Sequence, residues 1–303
     1  MVLRLGSKGL LVENLQHNLK TLGYSITVDG QYGYGTRNAV RRYQMDNKLF
    51  VDGIAGPITQ ASINANMNVK TIYRKQRYLN SDCFIAELSQ DKYFVDFELG
   101  EMSVFEKLSR IVRGLLNNNK PIVLAINGGY FGGSNIEQMG THLDEGSYRN
   151  VPDEKLITLL YRKTGRLEVK KLSKDYKLWF ERNDYYWAIG ATYSLVQDGK
   201  KNLQNLEYHS HGYSVAPRTL IGQKSDGTII MVVVDGRTKQ SKGLTASQSA
   251  DLMLNLCCIN AVNLDGGGSS EMIAVENNVI KVLNKPSDGT ERKIGSSLVV
   301  YKK

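Results

Sequence analysis

Three apolar segments of this chain each run into a polar residue followed by glycine. The junctions lie at 122–129, 229–237 and 260–270, and end in the sequences AINGG, VVVDGR and NLDGGGSS. Asp is a poor strand residue and consecutive glycines weaken any strand or helix, so local propensity does not account for the pattern. The pattern is explained if the chain needs a carboxylate and unobstructed backbone N–H groups beside a ligand. The three junctions therefore predict one site at a common sheet edge.

Length and composition place the chain among ordinary globular proteins. Its 303 residues are enough for two domains, and 41% of them are hydrophobic against 23% charged. No apolar run approaches the roughly 20 residues of a membrane span, so we expect none. The net charge of +9 favours acidic partners. Basic blocks interleaved with aromatic residues are lacking, so we expect no nucleic-acid partner.

Residues 1–67 predict a small three-helix bundle. Leucines recur at helical spacing over 11–22. The sequence VDGQYG at 28–33 returns as VDGIAG at 51–56, and a threonine follows each copy three residues later. Asp-Gly favours turns and Thr favours helix caps, so the echo predicts two capped turns between helices.

The composition changes after residue 67. We predict a linker at 68–77, because this stretch is polar and basic and lacks apolar periodicity. Short strand-like segments and a few helix-like ones follow, which predicts a mixed α/β-sheet domain over 78–303 and an α+β class for the chain. Within this domain the pattern predicts hairpins at 84–97 and 156–171 and helices at 103–116 and 245–258.

The details of the first segment resemble the peptidoglycan-binding module of cell-wall hydrolases. The match rests on the order of Gly9-Leu10, Leu15-Gln16 and Leu22-Gly23-Tyr24, followed by the two Asp-Gly turns and their threonines. The resemblance covers nearly all of residues 3–66. It implies a three-helix unit that docks a catalytic partner on the cell wall.

The second segment resembles the phosphodiester glycosidase family, whose members release a sugar such as N-acetylglucosamine from a sugar–phosphate–sugar diester. The blocks that match in order are AINGGYF at 125–131, APRT at 216–219, VDGR at 234–237, GLT at 243–245, NLDGGGSS at 263–270 and a closing ER at 291–292. One departure is Gln248, where the family usually has Glu. Gln still serves a helix cap, so the change is harmless if that Glu is structural and damaging if it ionises in catalysis.

The resemblance implies hydrolysis of the glycosidic C–O bond at a sugar-1-phosphodiester, and the residue types fit that reaction. The leaving phosphate monoester is a stable anion whose charge must be held, a task suited to guanidinium groups. Arg218 and Arg237 are the candidates, with Arg292 third. The anomeric carbon gains oxocarbenium character, which a carboxylate stabilises, attacks or serves by activating water. Asp265 and Asp235 are the candidate catalytic carboxylates.

Further candidate substrate contacts flank these carboxylates. Backbone N–H groups of the glycine turn are expected to form an anion nest beside two serine hydroxyls, and two histidines on one strand face are expected at the rim. The candidate substrate-binding residues are Asn127, Gly128, Arg218, Arg237, Thr245, Gly266, Gly267, Gly268, Ser269, Ser270, His209 and His211. Structural alternatives stay open: a loop cap at Asn127, a helix cap at Thr245, ordinary turns at the Asp-Gly pairs and a surface charge at Arg218.

We expect no cofactor to be required. The pair His209 and His211 lacks a fixed third ligand, which makes zinc a weak prediction. A carboxylate-rich site also suits a hard divalent cation such as Ca2+, so the involvement of a metal stays open.

Together the two resemblances predict a hydrolase directed to the cell wall. The expected partners are peptidoglycan or another cell-wall glycan and a phosphate-containing polysaccharide substrate such as a teichoic acid. The N-terminus lacks an apolar leader, so we expect action at the wall or extracellular face after release by lysis or on a phage particle. The alternatives are a catalytically inactive wall- or glycan-binding protein and a metal-dependent phosphodiesterase that cleaves P–O.

Overall fold

The computed structural model describes the greater part of the chain as two compact units, Met1–Thr71 and Ile72–Lys303. Each unit has its own apolar core. Helices and antiparallel sheets are both present, so the predicted α+β class is confirmed. The described residues are 2–67, 72–99, 105–132, 137–138, 142–144, 147–150, 153–173, 184–276 and 278–303.

The first unit consists of three helices, α1 (Leu10–Thr21), α2 (Tyr34–Asp46) and α3 (Pro57–Met67). Their apolar faces form one cluster, in which Leu15 and Leu19 of α1 lie with Val40 and Tyr43 of α2. The predicted three-helix bundle is therefore confirmed. Leu11, although it fits the leucine spacing, is exposed.

A glutamine on α1 holds the first of the two repeated turns. Gln16 Nε2 donates to Asp29 Oδ1 (2.8 Å) and to Thr36 Oγ1 (2.9 Å). Its Oε1 accepts from the Gly30 N–H (2.8 Å). One buried side chain thus binds both the turn and Thr36 in the first turn of α2. The cap residue of α2 is Gly33, so the predicted threonine cap is wrong here.

A glutamine on α2 repeats this arrangement at the second turn. Gln44 Nε2 donates to Asp52 Oδ1 (2.8 Å) and to Thr59 Oγ1 (3.1 Å), and its Oε1 accepts from the Gly53 N–H (2.8 Å). The two similar sequences, at 28–33 and 51–56, therefore make the same pattern of hydrogen bonds with a glutamine. Buried polar groups need partners, and here each turn obtains them from a neighbouring helix.

Within the described residues, the second unit contains antiparallel strands and the α-helices α4 (Leu108–Asn117) and α5 (Ala246–Asn255). Among the described residues, no helix combines the length and the apolar character that a membrane crossing requires. The strands are β1 (Tyr73–Tyr78), β2 (Ser81–Leu88), β3 (Tyr93–Leu99), β4 (Glu106–Lys107), β5 (Ile122–Asn127), β6 (Phe131–Gly132), β7 (Glu137–Gln138), β8 (His142–Asp144), β9 (Ser147–Asn150), β10 (Ile157–Arg162), β11 (Leu167–Lys170), β12 (Tyr185–Ala191), β13 (Tyr193–Gln197), β14 (Lys200–Lys201), β15 (Arg218–Lys224), β16 (Ile229–Val234), β17 (Cys258–Asn263), β18 (Met272–Glu276), β19 (Val279–Val282), β20 (Lys293–Ile294) and β21 (Ser296–Lys302).

Three large sheets contribute side chains to the main core. Their strand orders are β1-β2-β16-β15-β17-β13-β14, β11-β10-β12-β8-β9 and β19-β18-β5-β21-β3. A second apolar cluster lies between the seven-stranded sheet and α5, and another lies between the β5 sheet and α4. Strands β5, β16 and β17 are thus packed on both faces by apolar clusters, which hold the carboxyl ends of these strands in place.

Strand β16 is apolar throughout because it is buried on both faces. Ile229, Met231 and Val233 belong to the main core, whereas Ile230 and Val232 belong to the cluster with α5. A strand covered on both sides has no solvent-facing position and so shows no alternation.

The linker predicted at 68–77 is wrong in its second half. Tyr73–Tyr78 forms β1, which pairs with β2, and its basic residues make ion pairs with Asp82 and Glu87 on that strand. The first part of the predicted linker, 68–71, lies outside the described residues. Pairing with the next strand along the chain therefore decides the structure of this polar segment.

Two other segments differ from the sequence prediction. The hairpin predicted at 84–97 is wrong, because β2 pairs with β1 and β16 while β3 pairs with β21 in another sheet. The helix predicted at 245–258 ends at Asn255, because Cys258 already begins β17. The hairpin predicted at 156–171 is confirmed by the pairing of β10 with β11. Helix α4 begins at Leu108, later than predicted.

Candidate functional site

Two of the three predicted junctions meet at one edge of the seven-stranded sheet. Strands β16 and β17 both run antiparallel to β15, which lies between them, so their carboxyl ends flank the start of β15. The junction that follows β5 belongs to a different sheet. The prediction of a common sheet edge is therefore wrong for β5, yet hydrogen bonds still bring all three junctions together.

Asn127, at the end of β5, connects its junction with the one after β17, whereas Asn284 Nδ2 connects Asp235 with the Ser270 carbonyl. Asn127 Nδ2 donates to the carbonyl of Asp265 (2.8 Å), and its Oδ1 accepts from Thr219 Oγ1 (2.7 Å) and from the Glu271 N–H (3.1 Å). The side chain is completely buried. We expected a hydrogen bond from Asn127 to a sugar hydroxyl, but the structure places it beneath the site as a tie between strands.

Gly128 is fixed by the same packing. Its N–H donates to the Ser296 carbonyl (2.8 Å), and its own carbonyl accepts from the Asp265 N–H (3.2 Å). A Cβ at this position would clash with Ser296. Glycine is therefore needed for close packing of β5 against β21, and its backbone groups are already engaged with protein.

The glycines at 266–268 form a tight turn in place of the predicted anion nest. Gly267 has a φ of +63°, which favours glycine, and its N–H donates to the Pro217 carbonyl (3.0 Å). The Gly266 N–H acts to lower the pKa of the Asp265 carboxyl. Because the Gly267 amide is used within the protein, an anion nest at this turn does not include all three amides.

Asp265 lies where β17 meets this turn, and it is 7% exposed. Burial raises the pKa of its carboxyl to about 6, while the Ser269 hydroxyl, the Arg292 guanidinium and the Gly266 N–H act to lower that pKa. A carboxyl with a pKa near neutrality exchanges readily between its two protonation states, a property typical of catalytic groups.

Three buried side-chain oxygens in consecutive residues beside Asp265 have no hydrogen-bond partner. They are Ser269 Oγ, Ser270 Oγ and Glu271 Oε1, and they are half of the six such atoms among the described residues. Ser269 lies close enough to the Asp265 carboxyl to lower its pKa, but no hydrogen bond of normal geometry joins them. Such atoms are rare in folded proteins, so their concentration here indicates a place completed by a ligand.

Asp235 follows β16 but occupies different surroundings from Asp265. Its Oδ1 accepts from the Lys285 N–H (3.0 Å) and from Asn284 Nδ2 (3.3 Å). Burial has the largest effect on the pKa of Asp235 and raises it. The two donors from Lys285 and Asn284 lower this pKa, Asp82 raises it and Lys75 lowers it. This geometry favours a role in holding the 284–285 segment over a role as the second catalytic carboxylate.

Arg218, the first residue of β15, is 1% exposed. Its Nε donates to the Leu244 carbonyl (2.8 Å), and its Nη2 donates to the carbonyls of His211 (3.0 Å) and Ser214 (2.6 Å). Burial lowers the pKa of this guanidinium. The alternative of a surface charge is wrong, and the backbone contacts favour a role in fixing the loop before β15 over the predicted contact with phosphate.

Arg237 remains available for an anion. The side chain is exposed, and its Nη2 lies 3.2 Å from the position that a Cβ on Gly267 would occupy. Within the described part of the chain it forms no ion pair. The backbone at Arg237 has a φ of +60°, an unusual conformation for a residue with a side chain. The structure therefore presents a guanidinium over the glycine turn.

A second arginine covers the next glycine. Arg292 Nε and Nη2 donate to Asp288 Oδ2 (2.9 and 2.5 Å). A Cβ on Gly268 would collide with both members of this pair, so glycine is required beneath it. The two guanidinium groups of Arg237 and Arg292 thus lie over adjacent residues of one turn.

Of the two predicted rim histidines, His209 lies between two 3₁₀ turns (206–208 and 210–213) and His211 lies on the second, so the predicted strand face is wrong. Their rings are nevertheless neighbours, with centroids 5.5 Å apart. His209 is buried, and its Nε2 is hydrogen bonded to the Lys155 carbonyl (2.8 Å). His211 is exposed and stacks on Tyr130, with centroids 6.4 Å apart. The buried part of the His211 ring has the largest effect on its pKa and lowers it. The neighbouring His209 and Arg218 lower this pKa further.

Thr245 and Gln248 form the predicted capping box at the start of α5. The Thr245 hydroxyl accepts from the Gln248 N–H (3.2 Å), and Gln248 Oε1 accepts from the Thr245 N–H (2.9 Å). This geometry confirms the cap and favours a structural role for both residues. Gln supplies the same acceptor to the cap that Glu would.

Glu271 belongs to the site but was missed by sequence analysis. It is 2% exposed, and burial together with a hydrogen bond to Glu291 raises the pKa of its carboxyl to about 9. Glu291 in turn accepts from the Ser109 hydroxyl (2.8 Å) at the start of α4. The sequence cue was a glutamate directly before an apolar strand. Asn284 and Asp288 gave no comparable cue, because they lie in a polar loop.

A protein metal site needs several ligating side chains close together. Within the described ranges, no three or more His, Cys, Asp or Glu side chains are grouped in a suitable way. His142, which the sequence places after the Asn127 loop, lies in β8.

Two protein families match separate parts of the chain. The phosphodiester glycosidase family matches residues 120–301, which include every junction described above. The peptidoglycan binding domain family matches residues 8–63, the three-helix unit.

Relatives of known sequence match over shorter stretches. The SPbeta prophage-derived uncharacterized protein YomE of Bacillus subtilis (strain 168) is 42% identical over 119 residues, which are 39% of this chain and 17% of that protein. The N-acetylglucosamine-1-phosphodiester alpha-N-acetylglucosaminidase of Bos taurus is 36% identical over 59 residues, 20% of this chain and 11% of that enzyme. The chain therefore spans only a small part of the length of these relatives.

Solved structures share the fold of the second unit. The catalytic domain of zebrafish N-acetylglucosamine-1-phosphodiester alpha-N-acetylglucosaminidase, auto-inhibited by its pro-peptide, has a TM-score of 0.61 at 20% identity and covers 76% of this chain and 82% of its own. A hypothetical protein from Synechocystis has a TM-score of 0.58 at 14% identity and covers 76% of this chain and 61% of its own. At these identities the likeness concerns the fold.

Proposed function

This chain belongs to the phosphodiester glycosidase family, and we propose that its second unit hydrolyses the glycosidic C–O bond of a sugar-1-phosphodiester. The proposed substrate is a phosphate-containing glycan of the cell wall or cell surface, such as a teichoic acid. No cofactor is part of this proposal.

The observation that carries the proposal is the turn at 265–271. It combines a buried carboxyl whose pKa is raised to about 6 with three consecutive buried oxygens that lack partners. A merely structural turn would satisfy these atoms, because each unpaired buried polar group costs about 1–3 kcal/mol. Sugar hydroxyls and a phosphate are ligands that can complete such a set of oxygens, since hydroxyls both donate and accept.

Asp265 is the group we assign to the anomeric carbon. The departing group is a phosphate monoester, a stable anion, so the reaction needs little help from a general acid. An ionised carboxylate is needed on the sugar side, where it stabilises the oxocarbenium-like carbon, attacks it or activates water. Positive charge over Gly267 and Gly268, from Arg237 and Arg292, would hold the departing phosphate by charge-assisted hydrogen bonds.

The first unit supports the choice of a wall polymer as substrate. This unit matches the peptidoglycan binding domain family. By binding peptidoglycan, it would bring the hydrolase to the wall, where phosphate-bridged glycans are concentrated. The net charge of +9 favours an anionic polymer as well. The prophage-derived relative in Bacillus subtilis suits a protein that reaches the wall through lysis or on a phage particle.

Incubation of the protein with a synthetic N-acetylglucosamine-1-phosphodiester in 18O-labelled water tests the reaction. We expect a released reducing sugar that carries the label on its anomeric hydroxyl. Label in the phosphate would show P–O cleavage and reject the proposal in favour of a phosphodiesterase. Absence of any release from this diester and from teichoic acid would favour a glycan-binding protein without activity. Purified sacculi free of teichoic acid serve as control, and their turbidity should not fall.

A further inference from the structure

We propose that Asp288 is an internal competitor for the substrate phosphate, which occupies the anion site of Arg292 until the substrate replaces it. This inference rests on the proposed function and adds to it the residue that limits the affinity of the site for anions. The relevant ligand class is a phosphate monoester or diester.

The contact between Asp288 and Arg292 has the form of an arginine–phosphate contact. One carboxylate oxygen, Asp288 Oδ2, accepts from both Nε (2.9 Å) and Nη2 (2.5 Å) of Arg292. A phosphate oxygen can take the same position, because guanidinium groups bind carboxylate and phosphate by the same donors. The carboxylate thus occupies donors that an anionic ligand would need.

The ion pair of Arg292 and Asp288 lies at the candidate site. The pair lies directly over Gly268, where a Cβ would collide with both partners. Arg292 is also close enough to Asp265 to lower the pKa of that carboxyl. An anion that binds Arg292 would therefore lie near the catalytic carboxyl and over the turn that carries the unpaired serine oxygens.

The loop that carries Asp288 is held at both ends while the pair itself is open to solvent. On one side, the Lys285 N–H donates to Asp235 Oδ1 (3.0 Å), and on the other Glu291 accepts from Ser109. The side chains of Arg292 and Asp288 are 42% and 35% exposed. Exposed ion pairs are weak, so a substrate phosphate can displace Asp288 without unfolding the loop.

Titration of the full chain with inorganic phosphate by calorimetry tests this inference. We expect Asp288→Asn to bind phosphate at least about fivefold more tightly than wild type, because the competing charge and its repulsion are removed. Arg292→Gln should weaken binding. In the double variant Asp288→Asn/Arg292→Gln, the gain should disappear, since the two effects act through one contact.

Asp251→Asn is the matched control. It removes the same charge and breaks a comparable exposed ion pair, with Lys201 (2.6 Å), on α5. Phosphate affinity in Asp288→Asn equal to wild type or to Asp251→Asn would overturn the inference, as would a gain that persists without Arg292. Undetectable phosphate binding in all variants would also overturn it. The titration needs no turnover: tighter binding by an inactive protein would reject the proposed function and retain the anion site.

Discussion

The two units of this protein use the same Asp-Gly sequence in opposite ways. In the first unit, Gln16 and Gln44 each complete the hydrogen bonds of an Asp-Gly turn from a neighbouring helix. In the second unit, the turn that begins at Asp265-Gly266 is followed by three buried oxygens without partners. The difference shows that an Asp-Gly turn is structural where a nearby side chain completes it, and indicates a ligand where none does.

Substitution at Asp265 should give the largest effect and tests the functional side of this comparison. We expect Asp265→Asn to reduce hydrolysis of the synthetic diester by at least about a hundredfold, the loss typical of a positioned acid–base group. Circular dichroism and the melting temperature should show an intact fold. A loss of less than about threefold would be too small for a positioned acid–base group and would reject Asp265 as catalytic.

Substitution at Gln44 tests the structural side. Gln44→Leu removes the hydrogen bonds of this side chain to Asp52 and Thr59 and leaves the Gly53 N–H unpaired. We expect it to destabilise the first unit by about 2–4 kcal/mol, measured by calorimetric unfolding of the full chain. Gln16→Leu should cost a similar amount. Diester hydrolysis by the second unit should not change, and a parallel loss of activity would contradict the assignment.

The pH dependence of kcat/KM tests the protonation state of Asp265. Because the ionised form is the proposed reactive one, kcat/KM should rise about tenfold per pH unit below an apparent pKa of about 6 and then level off. The measurement needs the synthetic diester at constant ionic strength over the range where the protein stays folded. A rate that falls as the pH rises through this region would show that Asp265 acts as an acid.

Glu271 offers a test of stability against pH. Its folded pKa of about 9 lies above the model-compound value of 4.5, so wild-type stability should fall as the pH rises between these values. Glu271→Gln mimics the protonated form and should match wild type near the lower value. At pH 8 we expect the variant to melt at least about 2–4 °C higher, or about 1 kcal/mol. An equal slope for both proteins would show that no raised pKa exists at this position.

Two serine variants give the smallest expected effects and the most direct comparison. Ser270 Oγ is buried and has no partner, so Ser270→Ala should stabilise the protein, by about 1 kcal/mol, but raise KM for the diester. Ser81 Oγ donates to the Gly243 carbonyl and accepts from its N–H, both at 2.8 Å. Ser81→Ala should therefore cost about 1–2 kcal/mol. If Ser270→Ala destabilised the protein more than Ser81→Ala does, the distinction between satisfied and unsatisfied turns would be wrong.

Sequence analysis found the junctions but misjudged what several of their residues do. Asn127 and Arg218 were expected to contact substrate, and both are buried and bonded to protein. Their types are equally suited to ligand binding and to internal ties, so residue type alone does not separate the two. Glu271 was missed because an isolated glutamate beside a strand has many structural explanations.

The amino-acid sequence by itself determined the three-helix bundle, the α+β class, the capping box of α5 and the three strand-to-glycine junctions. These features depend on short-range periodicity and turn chemistry, which neighbouring residues encode. Only the tertiary structure decided which polar atoms are satisfied and which stay free for a ligand. The tie from Asn127 to Asp265 spans 138 residues. The partners of a buried polar group come from distant segments, and their positions exist only once the sheets have packed.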